Sequence, residues 1–329
     1  MLTKPVDVVI AWVDGSDPKH QSKRNDYLKA GKKKTTIATK ARRFSDNGEI
    51  LICLRSLATH LPWINRVFIV TDNQVPSCLC KGSNYLPQSF LNKIQIVDHR
   101  EIYAGYEQLL PTFNSLSIET FIWRTPELSE HFIYLNDDMF FCGPVVPENF
   151  FKEGQITLRG QWTEWDDNKM LSFHGENNKR GAALTTWQNN KFFRAAHVAH
   201  PMKKSVLKKA FATNPALFEK NASWRFRSRK QFWPISLHNH LAFEQNLAVQ
   251  TQGEKDWVHF SVAFCRDASQ TQLQQKLDAL KAKSKKLACL NFAEAVLEKN
   301  PDAMAQVERV IQPSFSQKMI NKLNFFKDQ

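Results

Sequence analysis

Four short apolar runs set the architecture: VDVVIAWV (6–13), RVFIVT (66–71), KIQIVD (93–98) and HFIYLN (131–136). Near-continuous Val and Ile suit strands buried on both faces, and the intervening stretches are long enough for the crossovers that parallel neighbours require. Between the first two runs, GEILICLRSLATHL (48–61) carries apolar residues at helical spacing and stops at Pro62-Trp63. This βαβ rhythm predicts an α/β fold with a mainly parallel, Rossmann-like sheet flanked by helices. From about residue 200 the pattern turns helical, in SVLKKAFATNPALFEKN (205–221) and QLQQKLDALKAKSKKLACLNFAEAVLEKN (272–300). No repeat or low-complexity linker marks a clean boundary, and the division is set at about residue 150.

At 329 residues, with 42% hydrophobic and 12% aromatic residues, the chain can bury a large core. No apolar run reaches the roughly 20 residues that span a bilayer. The N-terminal MLTKPVDVVIAWVDG enters a strand without the n-region and cleavage site of a signal peptide, so a cytoplasmic location is expected. Cys78 and Cys80 lack a second cysteine pair, so the six cysteines read as free thiols rather than a zinc site. The net charge of +13 gathers at Lys32–Lys34, at Arg225, Arg227, Arg229 and Lys230, and at Lys276, Lys281, Lys283, Lys285 and Lys286. Such surfaces attract a polyanionic substrate or anionic lipid, although the last group also fits the solvated face of a helix. Nucleic acid is not indicated, because no zinc-finger spacing, RNP signature or basic zipper is present.

The polar residues cluster where strands end. HFIYLN stops in Asn136, Asp137 and Asp138, and two adjacent carboxylates repel one another unless a cation joins them. In open α/β sheets this end binds ligands, whereas the plainer reading is an Asn-Asp turn. Asp14-Gly15-Ser16-Asp17-Pro18 follows the first strand, as a nucleotide-side turn or an ordinary Asp-Gly turn. Neither GxGxxG nor GxxxxGK[ST] occurs. In RFSDNGE (43–49), Ser45 or Asp46 is placed to cap the next helix, and Arg43 and Arg55 to contact phosphate. In HVAHP (197–201), Pro201 argues against a helix holding both histidines, leaving one working imidazole, with Arg227 positioned to stabilise charge. His238 and His240 are rival candidates.

Together these segments resemble the Stealth family of sugar-1-phosphate transferases, which includes bacterial capsular-polysaccharide phosphotransferases and the catalytic subunit of the lysosomal-enzyme GlcNAc-1-phosphotransferase. DVVIAWVDGSDP (7–18) looks like its first conserved block. RFSDNGEILICLRSLATHLPWINRVFIVTDNQVPS (43–77), LPTFNSLSIETFIW (110–123) and FIYLNDDMFF (132–141) look like its second. HVAHPMKKSVLKKAF with Arg227 is similar to the third, and CLNFAEA (289–295) to the fourth, except that Phe292 follows Asn291 where the family has Asp.

The resemblance implies a GT-A-like sheet, a nucleotide-sugar-binding core over residues 1–150, and an acceptor-side, helical region over 151–329 that completes the same site. It also implies residue roles. Asp137 and Asp138 would hold Mg²⁺ (or Mn²⁺), with Asp138, His197 and Arg227 catalytic. Asp14, Gly15, Arg43, Asp46, Asn47 and Arg55, in a block with Glu49, would bind substrate. The implied reaction carries a sugar-1-phosphate from a UDP-sugar to a sugar hydroxyl of an oligosaccharide or polysaccharide acceptor and releases UMP. The competing readings are a glycosyltransferase that releases UDP and a non-enzymatic polysaccharide binder using Trp162, Trp165 and Trp187. PSFSQKMINKLNFFKDQ (313–329) is compatible with a basic amphipathic helix on the inner face of the membrane near an export machine, or with a packed terminal helix.

Overall fold

A computed structural model describes residues 4–30, 47–80, 85–165, 171–186, 191–282, 284–291 and 293–312. The strands β1 (Val6–Ala11), β2 (Val67–Thr71), β3 (Ile94–Asp98) and β4 (His131–Asn136) match the four apolar runs to within one residue, except that β1 ends two residues early. In chain order β5 (Met139–Phe141), β6 (Phe151–Lys152), β7 (Gln155–Leu158), β8 (Gly160–Glu164), β9 (Lys191–Ala195), β10 (His200–Lys203), β11 (Ala248–Gln250), β12 (Trp257–Phe260) and β13 (Leu287–Leu290) follow. The central sheet has the order β10-β4-β1-β2-β3. Its strands run parallel except β10, which pairs antiparallel with β4.

This topology puts three chain segments at one place. β4 ends at Asn136, and after Asp137 and Asp138 the chain leaves the sheet as β5, which joins a second sheet of order β12-β13-β5. The register pairs Cys289 with Met139, so β13 presents its end beside the Asp137-Asp138 turn. Antiparallel β10 begins where β4 ends, with His200 opposite Tyr134, and the 196–199 link between β9 and β10 therefore comes to the same end.

Apolar burial locks this arrangement. One cluster runs from Val6 through Phe132 and Phe193 to Cys289, so residues on both sides of 150 share it. A second, containing Ile52, Phe140, Phe260, Leu273, Val296 and Val307, fills the space between the second sheet and the helices Gln270–Ala279, Ala293–Lys299 and Ala303–Ile311. The helix Glu49–His60 serves both, burying Cys53, Leu54 and Leu57 in one and Ile52 in the other.

Two local expectations are corrected and a third falls outside the described residues. The helix Glu49–His60 has Gly48 at its N-cap position, with a φ of 94° that a side chain disfavours, while Ser45 and Asp46, the expected caps, lie outside the described residues. The run 205–221 breaks at Asn214 into Lys204–Thr213 and Pro215–Ala222. Pro215 cannot continue the first helix but suits the start of the second, where the Asn214 side chain accepts from Leu217 N–H at 3.1 Å. Within 272–300, LACL forms the fully buried strand β13 between two helices. No described helix is long and apolar enough to cross a membrane, and 313–329 lies outside the described residues.

Candidate active site

Asp138 is the second residue of the turn that links β4 to β5. Its carbonyl accepts from Leu290 N–H at 2.9 Å, tying the turn to β13. Its Oδ2 accepts from Asn291 Nδ2, and Asn291 Oδ1 lies 2.8 Å from His259 Nε2, which therefore carries the donated proton. Oδ1 is buried and, the Cys289 thiol aside, meets no hydrogen-bond donor. Burial raises the carboxyl pKa above its ordinary value, and the bond from Asn291 works against that rise. An Asp138 oxygen, a His197 ring nitrogen and Cys289 Sγ all lie within 4.8 Å of one another. Asp137 shares the turn, and both carboxylates help raise the Cys53 thiol, after burial itself.

His197 is held in the 196–199 link, where Ala196 N–H donates to the Arg159 carbonyl at 2.8 Å. Its ring centroid lies 5.3 Å from that of His259 and 6.0 Å from that of His174. Burial, and then the Arg227 charge, lower His197 to about 4. Burial likewise brings His174 to about 3 and His259 to about 4. All three imidazoles are neutral at pH 7, so His197 can accept a proton.

Arg227 lies in a loop pinned to the 108–115 segment. Arg225 donates to the carbonyls of Pro111 at 2.8 Å and Gln108 at 2.9 Å, Phe113 N–H donates to the Arg225 carbonyl, and Arg227 Nη2 donates to Ser115 Oγ. Burial lowers the guanidinium pKa, and the nearby charges of Glu119, Tyr134 and Asp138 oppose that.

Glu119 is a site residue that the sequence reading missed. It lies on the helix Ser115–Phe121, 3% exposed, with its Oε1 3.1 Å from Tyr134 Oη. Tyr134 Oη is in turn 2.8 Å from Asn136 Oδ1. One hydroxyl proton cannot serve two acceptors. With Glu119 protonated, the carboxyl donates to Tyr134 and Tyr134 donates to Asn136, which satisfies the chain. Burial raises Glu119 to about 7, against the pull of Arg227, Tyr134 and Trp233. The available signal was its position: three residues after buried Leu116 and next to buried Thr120, Glu119 interrupts an inward helix face.

The remaining candidates separate. Asp14 closes its own turn, accepting from Ser16 N–H at 2.8 Å and Ser16 Oγ at 2.6 Å, while its backbone is clamped by Gln74 at 2.9 Å on both sides. Gly15 is buried in that turn. Asn47 bonds Glu49 at the start of the helix Glu49–His60. Arg55 pairs with Glu308 at 2.6 Å and lies over Tyr85, facing the C-terminal helices. Arg43 and Asp46 lie outside the described residues. The rival histidines are structural: His238 Nε2 accepts from Lys203 N–H at 3.0 Å, and His240 Nε2 from Phe193 N–H at 2.9 Å while its Nδ1 donates to the Ser236 carbonyl. Trp162 packs on Phe193, His240 and Phe243. Trp165 stacks near Phe192 under Lys179, and Trp187 lies outside the described residues.

A hard divalent ion finds one suitable feature here: the buried Oδ1 of Asp138, which meets no donor other than the Cys289 thiol, beside a second carboxylate. Two family models match the chain, "Stealth protein CR1, conserved region 1" over residues 4–32 and "Stealth protein CR2, conserved region 2" over 43–158. The chain belongs to the Stealth family. This Stealth chain is 39% identical over 152 residues to the capsular polysaccharide phosphotransferase cps1A of Actinobacillus pleuropneumoniae, covering 46% of this chain and 39% of that one. It is 30% identical over 296 residues to the exopolysaccharide phosphotransferase SCO6023 of Streptomyces coelicolor, covering 87% and 47%. It is 29% identical over 285 residues to the exopolysaccharide phosphotransferase cps2G of Lactiplantibacillus plantarum, covering 76% and 80%. The match thus spans less than half the length of the first two relatives. Among solved structures, the galactosyltransferase LgtC with donor and acceptor sugar analogs aligns over 95% of this chain and 99% of its own, at a TM-score of 0.44 and 10% identity.

Proposed function

We propose that this Stealth protein transfers a sugar-1-phosphate from a UDP-sugar to a hydroxyl of an oligosaccharide or polysaccharide acceptor, releasing UMP and building a phosphodiester-linked capsular or exopolysaccharide. The observation that carries this reading is the convergence of a neutral imidazole, a guanidinium and an acid, His197, Arg227 and Asp138, at the carboxyl end of β4. Relatives named as phosphotransferases support it.

In this reading His197 takes the proton of the acceptor hydroxyl as its oxygen bonds to the β-phosphorus. The bond from that phosphorus to the bridging oxygen breaks, and UMP leaves. Arg227 pairs with the equatorial oxygens, where charge is spread in phosphoryl transfer. Glu119, through Tyr134 and Asn136, steadies the acidic turn. Asp137 and Asp138 would hold Mg²⁺ or Mn²⁺, which when bound neutralises diphosphate charge. The Asp14-Gly15 turn and Asn47, at the end of β1 and the start of the helix Glu49–His60, would face the nucleotide, together with Arg43 and Asp46 from the same block. Arg55 joins them only by leaving Glu308. A growing phosphodiester chain is itself anionic, which fits the charge of +13 and a working place on the cytoplasmic face of the membrane.

The mass of the extended acceptor tests this. A gain of one sugar plus one phosphate is expected, and a gain of the sugar alone would mean attack at the anomeric carbon instead.

A further inference from the structure

The donors nearest Asp138 are not the ones a hard cation selects. Mg²⁺ and Mn²⁺ favour oxygen ligands, whereas imidazole and thiolate favour Zn²⁺, Co²⁺ and similar ions. Around Asp138 the converging atoms are one carboxylate oxygen, one imidazole nitrogen from His197 and one sulfur from Cys289. We propose that Asp138, His197 and Cys289 form a binding site for a borderline-soft divalent ion of the Zn²⁺ class, and that such an ion arrests the enzyme by occupying the imidazole and carboxylate that turnover needs. The arrest rests on the function proposed above; the ion site does not.

Three observations carry the site. The donor atoms come from three separate segments, the β4–β5 turn, the β9–β10 link and β13, yet lie within 4.8 Å of one another. Bonds of about 2.0–2.3 Å in tetrahedral geometry need donors about 3.3–3.8 Å apart, so closure asks for side-chain shifts on the order of 1 Å. Asp138 Oδ1 is buried and meets no other hydrogen-bond donor, while the Cys289 thiol interacts with the same carboxyl, so an ion that displaces the thiol proton would find both groups facing it. Behind it, Asn291 holds Oδ2 and His259 holds Asn291, the kind of outer support that orients ligands in metal sites. Cys289 is wholly buried in the middle of the β12-β13-β5 sheet, so its backbone is fixed before any ion arrives.

Binding is balanced simply. The ion gains a bond to Cys289 sulfur, the thiol loses one proton to solvent, and His197 contributes a lone pair that is then closed to the acceptor hydroxyl. A fourth position is left for water or a substrate oxygen. Because Asp138 belongs to both arrangements, Mg²⁺ and the soft ion compete.

The test is titration of the metal-free, reduced full chain with Co²⁺, read by thiolate-to-cobalt absorption in the near ultraviolet. One equivalent is expected to give the band, and Zn²⁺ to displace it. Cys289→Ser is expected to lose the band, while Cys80→Ser, at an exposed cysteine, keeps it. Should Cys289→Ser fail to fold by circular dichroism, His197→Ala serves instead. Its Co²⁺ affinity is expected to fall by more than the about 10- to 100-fold that loss of a supporting residue costs. A wild-type chain without the band, a band that survives Cys289→Ser, or unchanged affinity in His197→Ala would overturn the site. Inhibition is read separately, as nucleotide release with and without Zn²⁺. Full turnover with the soft ion bound would overturn the arrest, whereas the band in a chain inactive under every metal condition would leave the ion site standing and remove the transfer reading instead.

Discussion

The residues proposed to carry chemistry are polar groups at places where burial would normally exclude them. Asp138 stood out because it follows an apolar run, and a carboxylate at the end of a buried strand needs a reason to be there, whereas His197 and Arg227 stood out through likeness to the family's third block. Glu119 was not, since in SLSIETF an acid on a short helix reads as solvated until Leu116 and Thr120 are known to face inward. His174 and His259 were hidden for a similar reason: they come from segments 85 residues apart and meet only around His197. Asp138→Asn and His197→Ala are each expected to lower turnover by about 10²–10⁴ with the fold intact by circular dichroism. Near wild-type kcat in either would remove that residue from the chemistry. With its pKa lowered to about 4, His197 stays unprotonated and able to act as base down to that pH. The acid limb of kcat/KM is therefore expected below pH 5, and a limb near 6.5 would mean the imidazole is not buried as described.

At the scale of elements, strands of the central sheet were legible because Val- and Ile-rich runs buried on both faces leave little alternative. β13 was not, because LACL is four residues long and lies between lysine-rich helical stretches, so its periodicity cannot be told from theirs. Close approach of helices was equally invisible. Gly181, near the end of the helix Phe173–Ala182, faces the helix Pro234–Glu244 so closely that an added Cβ would lie 2.8 Å from both Ser236 Cβ and the Trp233 carbonyl oxygen. Two of those contacts are backbone or near-backbone atoms that cannot swing away. Gly181→Ala is thus expected to destabilise the protein by about 1–3 kcal/mol through overpacking. Since His174 sits on the same helix, activity should fall with it. An unchanged unfolding midpoint in urea would show that the two helices can part without cost.

The whole molecule buries many imidazoles in neutral form. Burial takes His60, His99, His197, His238 and His259 to about 4 and His174 to about 3, below the ordinary value of 6.5. Between pH 6.5 and 4 the unfolded chain binds protons at these residues that the folded chain excludes. The stability they contribute is therefore present above 6.5 and lost as pH falls through that window. Glu119 works in the opposite sense, since its folded pKa of about 7 makes folding less favourable as pH rises from 4.5, and the raised Asp138 carboxyl does likewise, but they are two groups against six. A steep drop in the urea midpoint from pH 7 to pH 5 is expected, and a flat profile would mean that these histidines reach solvent. How the chain brings its site together was legible only in part: family blocks at 7–18, 43–77 and 132–141 placed the sheet and its acidic end, while the joining of β5 to β13 depends on pairing across nearly 150 residues that no local pattern encodes. The most direct test of sugar-1-phosphate transfer is the nucleotide that the purified chain releases from a panel of UDP-sugars with Mg²⁺ and capsule-type oligosaccharide acceptors. Acceptor-dependent UMP, abolished by EDTA and by His197→Ala, is the expected result, and UDP in its place would contradict it.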